Sequence, residues 1–249
     1  MLTTQRRAMI SARLAREGQI VAKALADELG LSEDTIRRDL REMAAEGLLK
    51  RVHGGALPLM PPLPDFAARQ AIDSDLKRRL GRRAADLVKP GQTVFLDGGT
   101  TNAEIARALP HDLRATIVTH SPTIAAEFER HDAEVILIGG RLYKHSMVAT
   151  GAAAVAAIEH VRVDTFFLGA TAIHPAQGLS TGDYEEAAIK RAIAGQAADT
   201  YVLATPEKLG AASPHRIMGV NDVTGLVVPA GMSDEALSPY RECTALIVA

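Results

Sequence analysis

The 249-residue chain has a single cysteine, Cys243, so no disulfide can form within it. Its eight histidines show none of the short His/Cys spacings that hold zinc, and no metal or cofactor is expected. Long apolar runs are missing as well. The arginine-bearing start, MLTTQRRAMISARLAREG, lacks the apolar core of a signal peptide, and the most apolar later stretch, Gly151 to Ile158, is alanine-rich and stops at Glu159. The expectation is a cytoplasmic protein with no membrane partner. Nor does either charge dominate: 28 Lys/Arg stand against 30 Asp/Glu. Cutting at Leu57 separates ten basic and eight acidic residues (+2) from eighteen basic and twenty-two acidic ones (−4). The asymmetry has the sign of an N-terminal nucleic-acid-binding part but is too small to carry that argument. What the chain does hold is 47% apolar residues against 23% charged, the balance of a chain that buries a core.

Pattern supplies what charge does not. From Thr4 to Glu17, Ile10 and Leu14 fall one helical turn apart and Gly18 is a stop. A second short helix spans Ala22 to Leu29, with Ala22, Leu25 and Leu29 on one face and Gly30 as a left-handed cap. Ser32 is a good N-cap for a third helix reaching about Glu46, and Glu33 and Asp34 suit its positive end. Ile36, Leu40 and Met43 share its buried face, while Asp34, Arg38 and Arg41 point away, flanked by Thr35 and Arg37. Helix, tight turn and helix with an outward basic face is the helix-turn-helix arrangement. After Gly47, the run from Leu48 to Ala56 reads as a hairpin turning at Gly54-Gly55, a wing that carries Lys50, Arg51 and His53.

Leu57 to Pro64 has four prolines in eight residues and cannot continue a helix or a central strand. Residues 1–57 therefore form a winged helix-turn-helix, 58–75 a linker and 76–249 a second domain. Asp65 to Val88 has helical spacing up to Pro90-Gly91. Beyond it, apolar runs at 92–97, 115–119, 133–138, 163–168, 200–204 and 225–228 alternate with helical ones at 101–109, 121–130 and 185–198. That alternation predicts an α/β domain with a mostly parallel sheet covered on both faces.

In the first domain the third helix can present Asp34, Thr35 and Arg38 to base edges in the major groove, while Arg37, Arg41, Lys50 and Arg51 meet phosphates. The bland alternative pairs Arg38 with Glu42 on a solvated helix face. Asp39 sits near the buried side and reads as a partner for an arginine such as Arg6 rather than a base reader. In the second domain, a strand runs into Asp97-Gly98-Gly99-Thr100-Thr101 and then a helix. Glycines admit an anion, the helix start offers free N–H groups and the hydroxyls add donors, a phosphate cradle whose alternative is a tight turn N-capped by Thr100 or Thr101. Thr119-His120, Gly139-Gly140 and Gly169-Ala170-Thr171 follow other strands, so all should gather at the carboxyl edge of the sheet, where ligands of open α/β sheets bind.

These motifs resemble one family along nearly the whole chain. Arg6, Ile10, Leu14, Ser32, Thr35 to Leu40, Gly47-Leu48-Leu49 and Arg51 to Ala56 are similar to the DeoR-family DNA-binding signature. DGGTT at 97–101, VTHSPT at 118–123, LIGG at 137–140, Gly178-Leu179-Ser180 and Glu185-Glu186-Ala187 with Lys190 resemble its effector domain. The resemblance implies a domain related in fold to ribose-5-phosphate isomerase and a repressor that binds operator double-stranded DNA as a homodimer or homotetramer, controlled by a phosphorylated sugar. It implies that Asp97, Gly98, Thr100 and Thr101 line the phosphate or polyol site and that Lys208 adds a cation. Glu185 or Glu186 then caps its helix. The competing class is an enzyme, a phosphosugar isomerase with an accessory DNA-binding domain, for which Asp164, Asp183, Glu185 and Lys208 would supply acid, base and cation.

Overall fold

The computed structural model describes residues 2–58 and 64–249. Residues 59–63, the middle of the expected proline-rich linker, lie outside the described residues. Helix α1 (Thr3–Glu17) ends on Gly18 at φ 68°, a two-residue strand β1 (Ile20–Val21) follows, and α2 (Ala22–Leu29) ends on Gly30 at φ 62°. Helix α3 (Glu33–Ala45) starts where the Ser32 hydroxyl accepts the Thr35 N–H at 3.2 Å. Ile10, Leu14, Leu25, Ile36, Leu40, Met43 and Leu49 close one core, each full burial stabilising by about 1.5–3 kcal/mol.

The wing consists of β2 (Leu49–Val52) and β3 (Gly55–Pro58), antiparallel, with β1 on the other side of β3. Its turn is His53-Gly54, one residue earlier than expected, because Val52 pairs with Gly55. Gly54 provides the positive φ, 79°, and Gly55 is needed for space: a Cβ there would collide with the Ile20 carbonyl of β1.

The chain resumes with α4 (Phe66–Ala71) and α5 (Ser74–Ala85). The continuous helical spacing of this stretch is broken at Asp73, which takes the left-handed conformation with φ 47°. Strands and helices then alternate: β4 (Thr93–Leu96), α6 (Thr100–Ala108), β5 (Thr116–Thr119), α7 (Pro122–Glu127) and β6 (Glu134–Leu137). A small hairpin, β7 (Arg141–Tyr143) with β8 (Val148–Thr150), leads into α8 (Ala152–Ile158) and β9 (Val163–Leu168). A second hairpin, β10 (Ala172–His174) with β11 (Gly178–Thr181), precedes α9 (Tyr184–Ala194) and β12 (Ala197–Leu203). Last come β13 (His215–Met218), β14 (Gly225–Val228), α10 (Asp234–Arg241) and β15 (Ala245–Val248).

The main sheet has the order β15-β14-β12-β9-β4-β5-β6, and every pairing in it is parallel. Buried on both faces, its inner strands read as unbroken apolar runs such as Val94-Phe95-Leu96 and Phe166-Phe167-Leu168, whereas the edge strands β6 and β15 are largely exposed. Phe95, Phe166, Ile189 and Val202 fill one side, and Leu80, Val94, Ile105, Ile117 and Phe167 the other. Six of the seven strands match the expected runs; β15, at the edge, and the antiparallel β10-β11-β13 sheet do not. Strand order reverses between the central strand β9 and its neighbour β4, which opens a crevice at their carboxyl ends.

Candidate functional site

On the N-terminal domain, α3 presents Asp34, Arg37, Arg38 and Arg41 to solvent, and the wing presents Lys50, Arg51 and His53. Thr35 is partly covered, its hydroxyl 2.8 Å from that of the capping Ser32. Arg38 does not pair with Glu42. The Glu42 carboxylate is taken by Arg7 of α1, which also reaches Glu46 at 2.9 Å, whereas Arg37 holds Glu33 at 2.7 Å. Among the described residues Arg38, Arg41, Lys50 and Arg51 make no ion pair, so their charge faces outward unneutralised. The orientation of α3 is set from behind by Asp39, 1% exposed, which receives Arg6 through Nε on Oδ2 and through Nη2 on Oδ1 at 3.0 Å. This is the arginine partner that the position of Asp39 on the helix implied.

In the second domain a cavity of about 240 Å3 lies at the crevice between β4 and β9. Its floor is held by Asp97, which has no exposed surface and four partners. Oδ1 accepts His120 Nε2 at 2.7 Å and Gly98 N–H at 2.8 Å; Oδ2 accepts Lys190 Nζ at 2.6 Å and Gly169 N–H at 2.7 Å. Burial alone would raise the Asp97 pKa, but the Lys190 ammonium and the His120 hydrogen bond outweigh it and keep the carboxyl well below the usual range. Asp97 thereby ties the loop after β4 to the loop after β9.

Gly98, Gly99, Thr100, Thr101 and Lys208 line the cavity, as do Gly169, Ala170 and Thr171. Asp97, Thr119 and His120 do not. Thr119 donates to the Leu96 carbonyl at 2.7 Å and His120 bridges Asp97 and the Ala149 carbonyl, so both stand behind the wall with no exposed surface. Gly139 and Gly140 also lie off the wall, on the connection from β6 to the β7 hairpin, where Gly140 faces the Thr150 carbonyl. Neither threonine is the N-cap of α6. Gly99 is, with φ 129° and no side chain to offer, and the first helical bond runs from Ala103 N–H to the Gly99 carbonyl. The N–H groups of Thr100, Thr101 and Asn102 are left without a helical acceptor at the positive end of the helix. Helix α9, by contrast, is capped by Asp183, whose carboxylate accepts Glu186 N–H at 2.9 Å; neither Glu185 nor Glu186 does this.

The cations at this cavity exceed what sequence reasoning found. Lys190 is neutralised by Asp97, with Glu186 at 3.9 Å, but Arg69, Lys77 and Lys208 make no ion pair among the described residues. Among the described residues Lys208 Nζ reaches only the Leu203 carbonyl, at 3.4 Å. Burial, with the repulsion of Arg69, Lys77 and Lys190, brings its pKa down to about 8 against the opposing pull of Glu207. Burial likewise lowers Arg69 and Lys77. Both sit on α4 and α5, where their charge reads as ordinary helix surface and only the packing of these helices over the crevice distinguishes them. Asp164, an acid of the enzyme reading, is at the opposite end of the sheet, exposed and accepting Thr93 N–H at 2.8 Å.

A winged helix with an unneutralised basic face, joined to an α/β domain with a cation-lined cavity at its switch point, defines a DNA-binding protein with a ligand-sensing domain. Residues 6–59 match the DeoR-like helix-turn-helix domain and residues 72–229 the DeoR C terminal sensor domain. The chain belongs to the DeoR family. It is 35% identical over 212 residues to the HTH-type transcriptional regulator GlpR of Haloferax volcanii, covering 84% of this chain and 83% of that protein. It is 32% identical over 212 residues to the glycerol-3-phosphate regulon repressor of Escherichia coli strain K12, covering 84% of each. Among solved structures, ribose 5-phosphate isomerase A of Methanocaldococcus jannaschii aligns over 55% of this chain and 54% of that one, at 19% identity and a TM-score of 0.41.

Proposed function

We propose that this protein is a transcriptional repressor of a carbohydrate catabolism operon, whose binding to operator DNA is controlled by a phosphorylated sugar. The observation that carries the reading is the pairing of the uncapped start of α6 with unpaired cations around one cavity. A dianionic phosphate accepts N–H and hydroxyl hydrogen bonds at such a helix start, where the dipole also favours negative charge. Residues 1–57 bind DNA and 76–249 bind the effector. One α3 reads too few base pairs for an operator, so the cytoplasmic repressor acts as a homodimer or homotetramer on paired half-sites. The second domain is a sensor without catalytic function: Asp164 is remote from the cavity and Asp183 is spent on capping α9.

Fluorescence anisotropy of a fluorescent operator duplex, titrated with a panel of sugar phosphates and their unphosphorylated sugars, tests this. One phosphorylated member changes operator affinity about 5–150-fold in the wild type, as a coupling of roughly 1–3 kcal/mol requires. The unphosphorylated sugar does not, and Thr100→Ala with Thr101→Ala abolishes the response while leaving ligand-free operator binding intact. No response to any panel member, or equal responses in wild type and double variant, overturns the assignment.

A further inference from the structure

We propose that Arg69 and Lys77, carried by the helices that connect the DNA-binding domain to the sensor, are themselves effector ligands, so that an anion in the cavity fastens the connector to the sensor domain. The proposal rests on the reading of this cavity as a phosphate site and adds the means by which occupancy reaches the DNA-binding domain.

Both side chains line the same cavity as the start of α6, together with Ile72 and Asp73 between them. Arg69 donates through Nη2 to the His145 carbonyl at 3.0 Å, while its Nε is shielded from solvent and has no partner among the described residues. Lys77 is only 6% exposed, and its ammonium donates to the Arg69 carbonyl at 2.6 Å. An ammonium has three protons to place and a guanidinium five, so each of these groups retains donor capacity facing the cavity. With Lys208 they make three buried or half-buried cations without a carboxylate in ion-pair range among the described residues. Arg69 and Lys77 repel Lys208, while Glu186, Glu207 and Asp73 on the same wall attract these cations from beyond ion-pair range; an oxyanion that accepts from all three cations relieves that repulsion and supplies the missing hydrogen bonds.

The two residues differ in how firmly they are placed. Helix α5 is seated on α6 at Gly81, where any Cβ would collide with Glu104, so Lys77 is fixed beside the helix start. Helix α4 is separated from α5 by Asp73 in its left-handed conformation. Six residues long, it touches α6 and is held by the Arg69 bond to the His145 carbonyl and by the Lys77 bond to the Arg69 carbonyl. An anion shared by Arg69, Lys77 and the α6 start adds a further tie at that place, on the one covalent route between the domains.

The test uses the full-length protein and inorganic phosphate, titrated calorimetrically against potassium chloride of equal ionic strength, with hydrogen exchange of the 66–71 amides read in parallel. Wild type binds phosphate and the α4 amides gain protection. Arg69→Gln and Lys77→Met each weaken binding by about 10-fold or more, the cost of one charged hydrogen bond, and Arg69→Gln loses the α4 protection. Arg69→Lys, which keeps the charge and the packing, retains part of the affinity and guards against a folding artefact. If Thr100→Ala with Thr101→Ala loses phosphate while the Arg69 and Lys77 variants bind like wild type, the cavity reading stands and the connector proposal falls. If wild type shows no phosphate binding, both fall together.

Discussion

His174 of the sensor domain donates its Nε2 proton to the Ala15 carbonyl in the last turn of α1, at 3.2 Å, and so joins the two domains directly. Gln177 adds a second bond, from Nε2 to the Glu17 carbonyl at 2.8 Å, and between them the β10-β11 hairpin caps carbonyls that the helix end leaves unused. The same hairpin ends at Thr181 on the wall of the cavity between β4 and β9.

The tautomer of His174 is determined by its partners. Nδ1 accepts Ala176 N–H at 3.1 Å, so the ring is neutral with its proton on Nε2. Burial lowers its pKa, the Ala15 bond opposing, so the docked state binds fewer protons than a free imidazole near 6.5. The contact is therefore complete above about pH 6.5 and is lost as the pH falls below it. Protection factors of the Ala176 and Gln177 amides should fall on acidification, and in His174→Gln they should be independent of pH over the same range. Wild-type protection that is flat down to pH 5 contradicts this account.

The Arg6–Asp39 pair should behave as a buried ion pair does. Asp39→Ala strands the Arg6 guanidinium and costs about 3–5 kcal/mol, read as lost hydrogen-exchange protection of α1 and α3 in the full chain. Arg6→Met combined with Asp39→Leu should recover most of that, because the desolvation cost of both charges disappears together. A single variant with protection within 1 kcal/mol of wild type would refute the buried-pair role.

At the DNA-binding face, base readers and phosphate contacts should separate by salt and sequence. Arg38→Ala loses about 1–3 kcal/mol of discrimination between operator and scrambled duplex. Lys50→Ala or Arg51→Ala weakens all sequences alike and flattens the plot of log affinity against log salt by about 0.9 per lost contact. Unchanged operator affinity in all three folded variants removes the assignment of roles.

As an effector ligand, Lys208 should make binding pH-dependent. With a pKa of about 8 it is charged below that value, and the anion binds the charged form. Effector affinity should thus be full at pH 7, decline as the pH rises through about 8, and show no such decline in Lys208→Met, whose affinity is already low. Titrations at constant ionic strength between pH 7 and 9 decide it; parallel profiles for wild type and variant would exclude Lys208 as a ligand.

The helix-turn-helix was legible because its signals are local. Ser32 as N-cap, Gly18 and Gly30 as stops, and Ile36, Leu40 and Met43 on one face all concern residues within a turn or two of each other. The same holds for the strand and helix alternation, and for Asp39, whose place on the buried face of α3 called for a cation. Chain order also put Gly98 to Thr101 at a strand end. It could not tell which strand ends open onto the cavity, because that depends on strand order and on a register in which one residue reverses the side chain's direction. Thr119 and His120 thus ended behind the wall, and Asp97 became the post that Lys190, 93 residues away, holds in place. Gly55 is required only because β1 lies beside it, and β1 has two residues, too few to carry a pattern. Arg69 and Lys77 look like any charges on short helices. Their meaning comes from burial over a crevice built by strands that follow them in the chain, where the loss of water turns ordinary surface cations into unpaired charges directed at a cavity.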